Sequence, residues 1–192
     1  MEIDQIQSRY EKFTGLLTKC GERGNKAKEM CEHLGARLIL CPASTHESVP
    51  GCHPGGLLDT SIRVLSRMRD IQKAIPDASK VPVESVILTG LLHNIGMVGS
   101  ESVDYLLPQD SDWHRKQGRL YRYNEELPKM SVPHRSLYLL QKFGVEVTLE
   151  EWTAIALSGG PHREENRFYI GSEPTLSHLL SQAKTWSGLR DI

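Results

Sequence analysis

Leu88-Thr89-Gly90-Leu91-Leu92-His93-Asn94-Ile95-Gly96-Met97 closes an apolar run that begins at Val83. Val83, Val86, Ile87, Leu88, Leu91 and Leu92 form one stripe at helical spacing, so the run reads as a buried helix. It ends in His93-Asn94, and Gly96 follows as a helix-stopping residue. A polar pair closing a buried helix has two readings. In one, His93 is a core histidine satisfied by a backbone carbonyl and Asn94 caps the end. In the other, the pair belongs to a functional motif.

Composition bounds the rest. A chain of 192 residues with 39% apolar content is long and greasy enough for one compact domain with a proper core. A net charge of −1 gives no global attraction to nucleic acid or to an anionic membrane, although a local basic pocket is compatible with it. No apolar run approaches the roughly 18 residues of a membrane span. Met1-Glu2-Ile3-Asp4 is acidic where a secretion signal carries a basic start. Cys20, Cys31, Cys41 and Cys52 never fall into CxxC spacing, which points to reduced thiols in a cytoplasmic protein rather than a zinc ribbon or redox pair.

Outward from the central helix, the pattern is helical throughout. Ile3, Ile6, Tyr10, Phe13 and Leu17 predict a helix over residues 3 to 19, stopped by Gly21 and Gly24. Ala27, Met30, Cys31 and Leu34 predict a second over about 25 to 35. Residues 41 to 56 read as a long loop rich in Pro, Gly and hydroxyls, a length at which ordered loops are commonly functional. A helix follows over residues 57 to 70, and Gly55-Gly56 before it leaves backbone N–H groups for an anion. Residues 98 to 131 look irregular. Within them Trp113, Tyr121 and Tyr123 interleave with Arg115, Lys116, Arg119 and Arg122, a composition suited to base stacking and phosphate pairing or to an ordinary solvated loop. Helices over 134 to 143, 149 to 157 and 174 to 186 complete the chain, with Trp152 and Trp186 on the inward stripes of the last two. The fold class is all-α.

Several motifs then fall into one order: Cys41-Pro-Ala-Ser-Thr45, Pro54-Gly-Gly-Leu-Leu-Asp59, His93-Asn94-Ile95-Gly96-Met97, Trp113-His114-Arg115, Tyr121-Arg-Tyr-Asn124 and Val132-Pro-His-Arg-Ser136. Together they resemble HD-domain phosphohydrolases, and in particular small HD-domain proteins often encoded by bacteriophages. The resemblance covers roughly residues 30 to 187. It implies an HD-domain-like helical bundle with long functional loops: a single domain over 1–192, with N-terminal helices in 1–35 and the HD-like core in 41–187.

The same resemblance shows what has changed. In active members an early histidine, a His-Asp pair and a late aspartate converge on a divalent cation that polarises phosphate and activates water. Here the early position is Thr60, the pair is His93-Asn94, and the late position is Lys184, so three of the four expected ligands are replaced. The expectation is therefore no catalytic residue, no metal and no cofactor. The acid-to-amide and acid-to-lysine changes leave the pocket about as cationic as a metal-loaded one, with Lys184 standing in for the cation.

The implied function is that of a catalytically degenerate HD-like protein which binds, without hydrolysing, a phosphorylated nucleotide-type small molecule. Lys184, Arg135 and Arg63 would take phosphate, Thr45, Thr60, His93 and Asn94 would supply hydrogen bonds, and Trp113 or Tyr123 would stack on a base, with His134 beside them. By analogy with phage proteins the role would be to sequester a nucleotide signal of host antiviral defence, in the host cytoplasm. No nucleic-acid polymer and no membrane is an expected partner, and a homo-oligomer stays open. The alternative is a metal-dependent phosphohydrolase acting on nucleotides or phosphodiesters, with His93, His134 and His162 converging on a divalent metal. A third reading is a pure interaction or structural protein, and Thr60 and Lys184 also fit packing or surface residues in a pocket that has simply decayed.

Overall fold

The structure is a computed structural model that describes residues 3–189, with side chains from residue 5. The inward place expected of Ile3 and the acidic start at Met1–Asp4 lie outside the described side chains. The architecture is all-α with one small two-stranded sheet: α1 (Ile3–Leu17), α2 (Gly21–Leu40), α3 (Gly56–Ala74), α4 (Val83–Leu92), β1 (Leu106–Pro108), α5 (Asp112–Lys116), β2 (Tyr121–Tyr123), α6 (Val132–Lys142), α7 (Leu149–Leu157) and α8 (Thr175–Trp186). No helix among the described residues is long and apolar enough to cross a membrane.

The core sits where α3 and α4 cross, with α7 and α8 against them. Leu57, Leu58 and Met68 of α3 and Leu88, Leu91 and Leu92 of α4 are fully buried there. The crossing is close because α4 carries Gly90, where an added Cβ would stand 3.1 Å from Leu65 Cα and from Met68 Sδ. Burying α4 on all sides follows from its sequence, since every residue from Ser85 to Leu92 is inside.

Helix ends are set by recognisable chemistry. Thr148 and Glu151 form a reciprocal capping box at the start of α7, and the Ser131 hydroxyl accepts the His134 amide at the start of α6. Glu151 is buried and also pairs with Arg23 of α2 at 2.7 Å, and Arg23 bridges on to Glu84 of α4 at 2.7 Å. Helix α2 runs past the expected stop at residue 35, but Gly35, at φ 51°, breaks its geometry there. Gly24 lies inside the helix instead of ending α1, because the Leu17 carbonyl passes where its Cβ would be.

Three expectations need correction. The segment 98 to 131 is not irregular throughout: Leu106 pairs with Tyr123 and Pro108 with Tyr121 in an antiparallel ladder. Strands of three residues are too short to alternate visibly. Trp152 and Trp186 are 40% and 74% exposed, so neither is a core residue. The start of α3 is also not an open anion site. Gly56 N–H donates to the His53 carbonyl, Leu57 N–H donates to the Cys41 carbonyl, and Asp59 in the first turn pairs with Arg9. All four cysteines are buried free thiols.

Candidate ligand-binding site

The central motif folds as the end of α4 followed by a 3-10 turn over Ile95–Val98. Ser136 of α6 clamps that turn: its hydroxyl donates to the His93 carbonyl at 2.8 Å and accepts the Gly96 N–H at 2.9 Å. Gly96 is required by proximity, not by backbone handedness. An added Cβ there would lie 2.5 Å from the Val132 carbonyl oxygen and 2.6 Å from the Ser136 nitrogen. The turn thereby presents Asn94 to a cleft while His93 stays inside.

His93 is 1% exposed, and its Nδ1 lies 3.1 Å from the Gly90 carbonyl. A carbonyl only accepts, so Nδ1 carries the proton and Nε2 offers a lone pair. Nε2 is buried with no hydrogen-bond partner among the described residues. Burial, and after it the nearby Lys184 ammonium, lower the His93 pKa to about 3. The ring is neutral at pH 7 and a feeble base. The core-histidine reading is met at Nδ1 and leaves Nε2 unexplained.

Lys184, in the last turn of α8, is itself buried, and its ammonium donates to the Ser158 carbonyl at the end of α7. Lys184, Ser158 and Asn94 form part of the wall of a cleft of about 1170 Å³. The opposite wall is the 123–135 segment with the start of α6, including Tyr123, Lys129, His134 and Arg135. Four cationic side chains line the cleft, Lys129, Arg135, Arg163 and Lys184, against two acidic ones, Glu125 and Glu165.

These cations are not equivalent. Arg135 is buried, donates to the Pro128 and Met130 carbonyls at 3.3 Å each, and lies 4.5 Å over the Tyr105 ring. Burial lowers its pKa. It holds the 128–130 loop to α6 as well as facing the cleft. Arg163 donates to the Gly159 carbonyl at 3.1 Å. Lys129 is exposed and has no ion pair or side-chain hydrogen bond among the described residues.

Of the expected site residues, Asn94, Tyr123, His134, Arg135 and Lys184 come together in this cleft. The others do not line it. Thr60 is buried and its hydroxyl donates back to the Gly56 and Leu57 carbonyls of its own helix. Arg63 is on the exposed outer face of α3. His93 is shielded behind Asn94, and Trp113 stands 66% exposed on α5. Thr45 lines a neighbouring cavity with Arg119 and Tyr123. Lys129, Arg163 and Tyr105 also line the cleft, and nothing in the sequence marks them, because single cations and a lone tyrosine in loops follow no spacing rule.

The donor set does not fit a catalytic metal. No group of three or more His, Cys, Asp or Glu side chains among the described residues could hold one. His93, His134 and His162 do not converge: the first is buried, the other two are exposed. The only imidazole at the motif faces an ammonium, which opposes a divalent ion by charge. Comparison of the chain with protein-family models, with curated proteins and with solved structures finds no match.

Proposed function

We propose that the cleft binds a phosphorylated nucleotide-type small molecule and does not hydrolyse it. The observation that carries this reading is the cleft itself: about 1170 Å³, with a cationic excess and with Tyr105 and Tyr123 on its wall. That volume suits a ligand of nucleotide size or larger. Cationic donors that are partly withdrawn from water favour phosphate over a neutral ligand. Tyr123 supplies an exposed ring for a base.

The donor set speaks against turnover. A neutral imidazole with a pKa near 3 makes a poor general base, and Asn94 and Lys184 are poor partners for a divalent ion. A protein that binds a phosphorylated signal without consuming it acts by sequestering or sensing it. By the resemblance described above, sequestration of a nucleotide signal of host defence is the role proposed.

Titration calorimetry with nucleotides, paired with phosphate-release and product assays in Mg²⁺ and Mn²⁺, tests the reading. Binding without turnover, weakened about tenfold or more in Lys184→Met, is expected from loss of one charge-assisted contact. Divalent-dependent turnover abolished by His93→Ala would establish the phosphohydrolase instead.

A further inference from the structure

A second cavity, of about 660 Å³, adjoins the cleft and shares Tyr123 with it. It lies between β2, the start of α5 and the 45–46 loop, and Arg119 and Arg122 supply its positive charge. Arg122 faces Asp110 at 3.1 Å, so its charge is locally balanced. Arg119 is not: it is exposed and has no ion pair or side-chain hydrogen bond among the described residues. Lys129 has the same character on the cleft side. At least one cation without a carboxylate partner among the described residues therefore stands in each cavity.

The divider between them is built, not incidental. Leu120 N–H donates to the Thr45 carbonyl at 2.9 Å, and Gln109 N–H donates to the Leu120 carbonyl at 2.9 Å, fixing the approach to β2. Tyr123 packs its ring 5.0 Å from that of Tyr105 and remains 49% exposed. It offers a ring with one side supported and the other open to a ligand.

A mononucleotide has its phosphates at one end and would fill one cavity only. We infer that the ligand is a small phosphodiester-linked nucleotide carrying at least two phosphates, which straddles Tyr123 with one phosphate toward Lys184 and Lys129 and the next toward Arg119. This rests on the nucleotide-binding reading of the cleft and narrows its ligand class. It also gives a role to Arg119, Tyr121 and Arg122, which the cleft alone leaves unused.

The test is calorimetry on the full chain with 5′-phosphorylated dinucleotides (pApA, pCpC, pGpG, pUpU), the matching mononucleotides and a ten-residue single-stranded RNA. At least one dinucleotide should bind about tenfold or more tightly than its mononucleotide, as one further phosphate contact provides. Arg119→Ala, on an exposed side chain, should remove most of that advantage and leave mononucleotide affinity within about twofold, while Lys184→Met should weaken both ligands. Equal affinities for dinucleotide and mononucleotide, unchanged in Arg119→Ala, overturn the straddling ligand and leave the cleft reading intact. Tighter binding of the ten-residue RNA than of every dinucleotide also overturns it, in favour of a polymer. If neither mononucleotides nor dinucleotides bind, the cleft reading fails and this inference fails with it.

Discussion

His93 and Lys184 are two buried basic groups, set close enough for the ammonium to depress the basicity of the imidazole. Burial, and after it the Lys184 ammonium anchored at the Ser158 carbonyl, hold His93 neutral. The sign of the pH dependence follows. A histidine with its pKa lowered in the folded state gains its proton first in the unfolded chain, so acid favours unfolding. The effect is absent above the ordinary histidine pKa of 6.5 and grows as pH falls toward about 3. Each pH unit in that window is worth about 1.4 kcal/mol. Urea unfolding at pH 6.5 and pH 5 should therefore show a loss of about 2 kcal/mol that His93→Leu does not share. Equal losses in both proteins would mean that His93 titrates normally.

Among the elements, the turn after α4 and the start of α7 bear the most constraint. Gly96→Ala would press a Cβ against the backbone of α6, at the Val132 carbonyl and the Ser136 nitrogen. Overpacking of this kind costs about 1–3 kcal/mol, to be read as a lower urea midpoint with an unchanged slope. A neutral result would mean that the turn and α6 separate easily. Arg23→Ala would leave the Glu151 carboxylate buried and short of its cationic partner. Its cost should be about 3 kcal/mol, at the low end for a broken buried pair because Arg23 keeps some exposure.

These same elements show what the sequence could and could not convey. The helices at 83 to 92 and 149 to 157 are readable to the residue because apolar spacing marks both, and the Thr148–Glu151 capping box fixes the start of the second. The corrected features depend on distant partners. Trp152 and Trp186 sit on apolar stripes, yet no element among the described residues covers them fully. Gly96 reads as a stop signal, although its reason is the approach of α6, forty residues away. The amides at the start of α3 look available until the His53 carbonyl is seen to take the Gly56 N–H and the Cys41 carbonyl the Leu57 N–H. Likewise Asn94, His134, Arg135 and Lys184 were reached through a family pattern, whereas Lys129 and Arg163 enter the cleft through loop geometry that no local pattern encodes.

For the molecule as a whole, the proposed function rests on a cleft lined with an excess of cationic side chains beside a smaller cavity that carries Arg119 and Arg122. The proposed HD-like origin of that cleft has its own test. Thr60→His, Asn94→Asp and Lys184→Asp combined should create Mn²⁺ binding, measured by calorimetry, and should abolish nucleotide binding. A folded triple variant that takes up no Mn²⁺ would detach the cleft from that ancestry. The most direct measurement for the central claim is native mass spectrometry of the purified protein, followed by release of whatever it carries under denaturing conditions. A phosphorylated, nucleotide-like molecule released intact, with no stoichiometric transition metal, is the predicted result. One or two bound divalent metals and no nucleotide would contradict it.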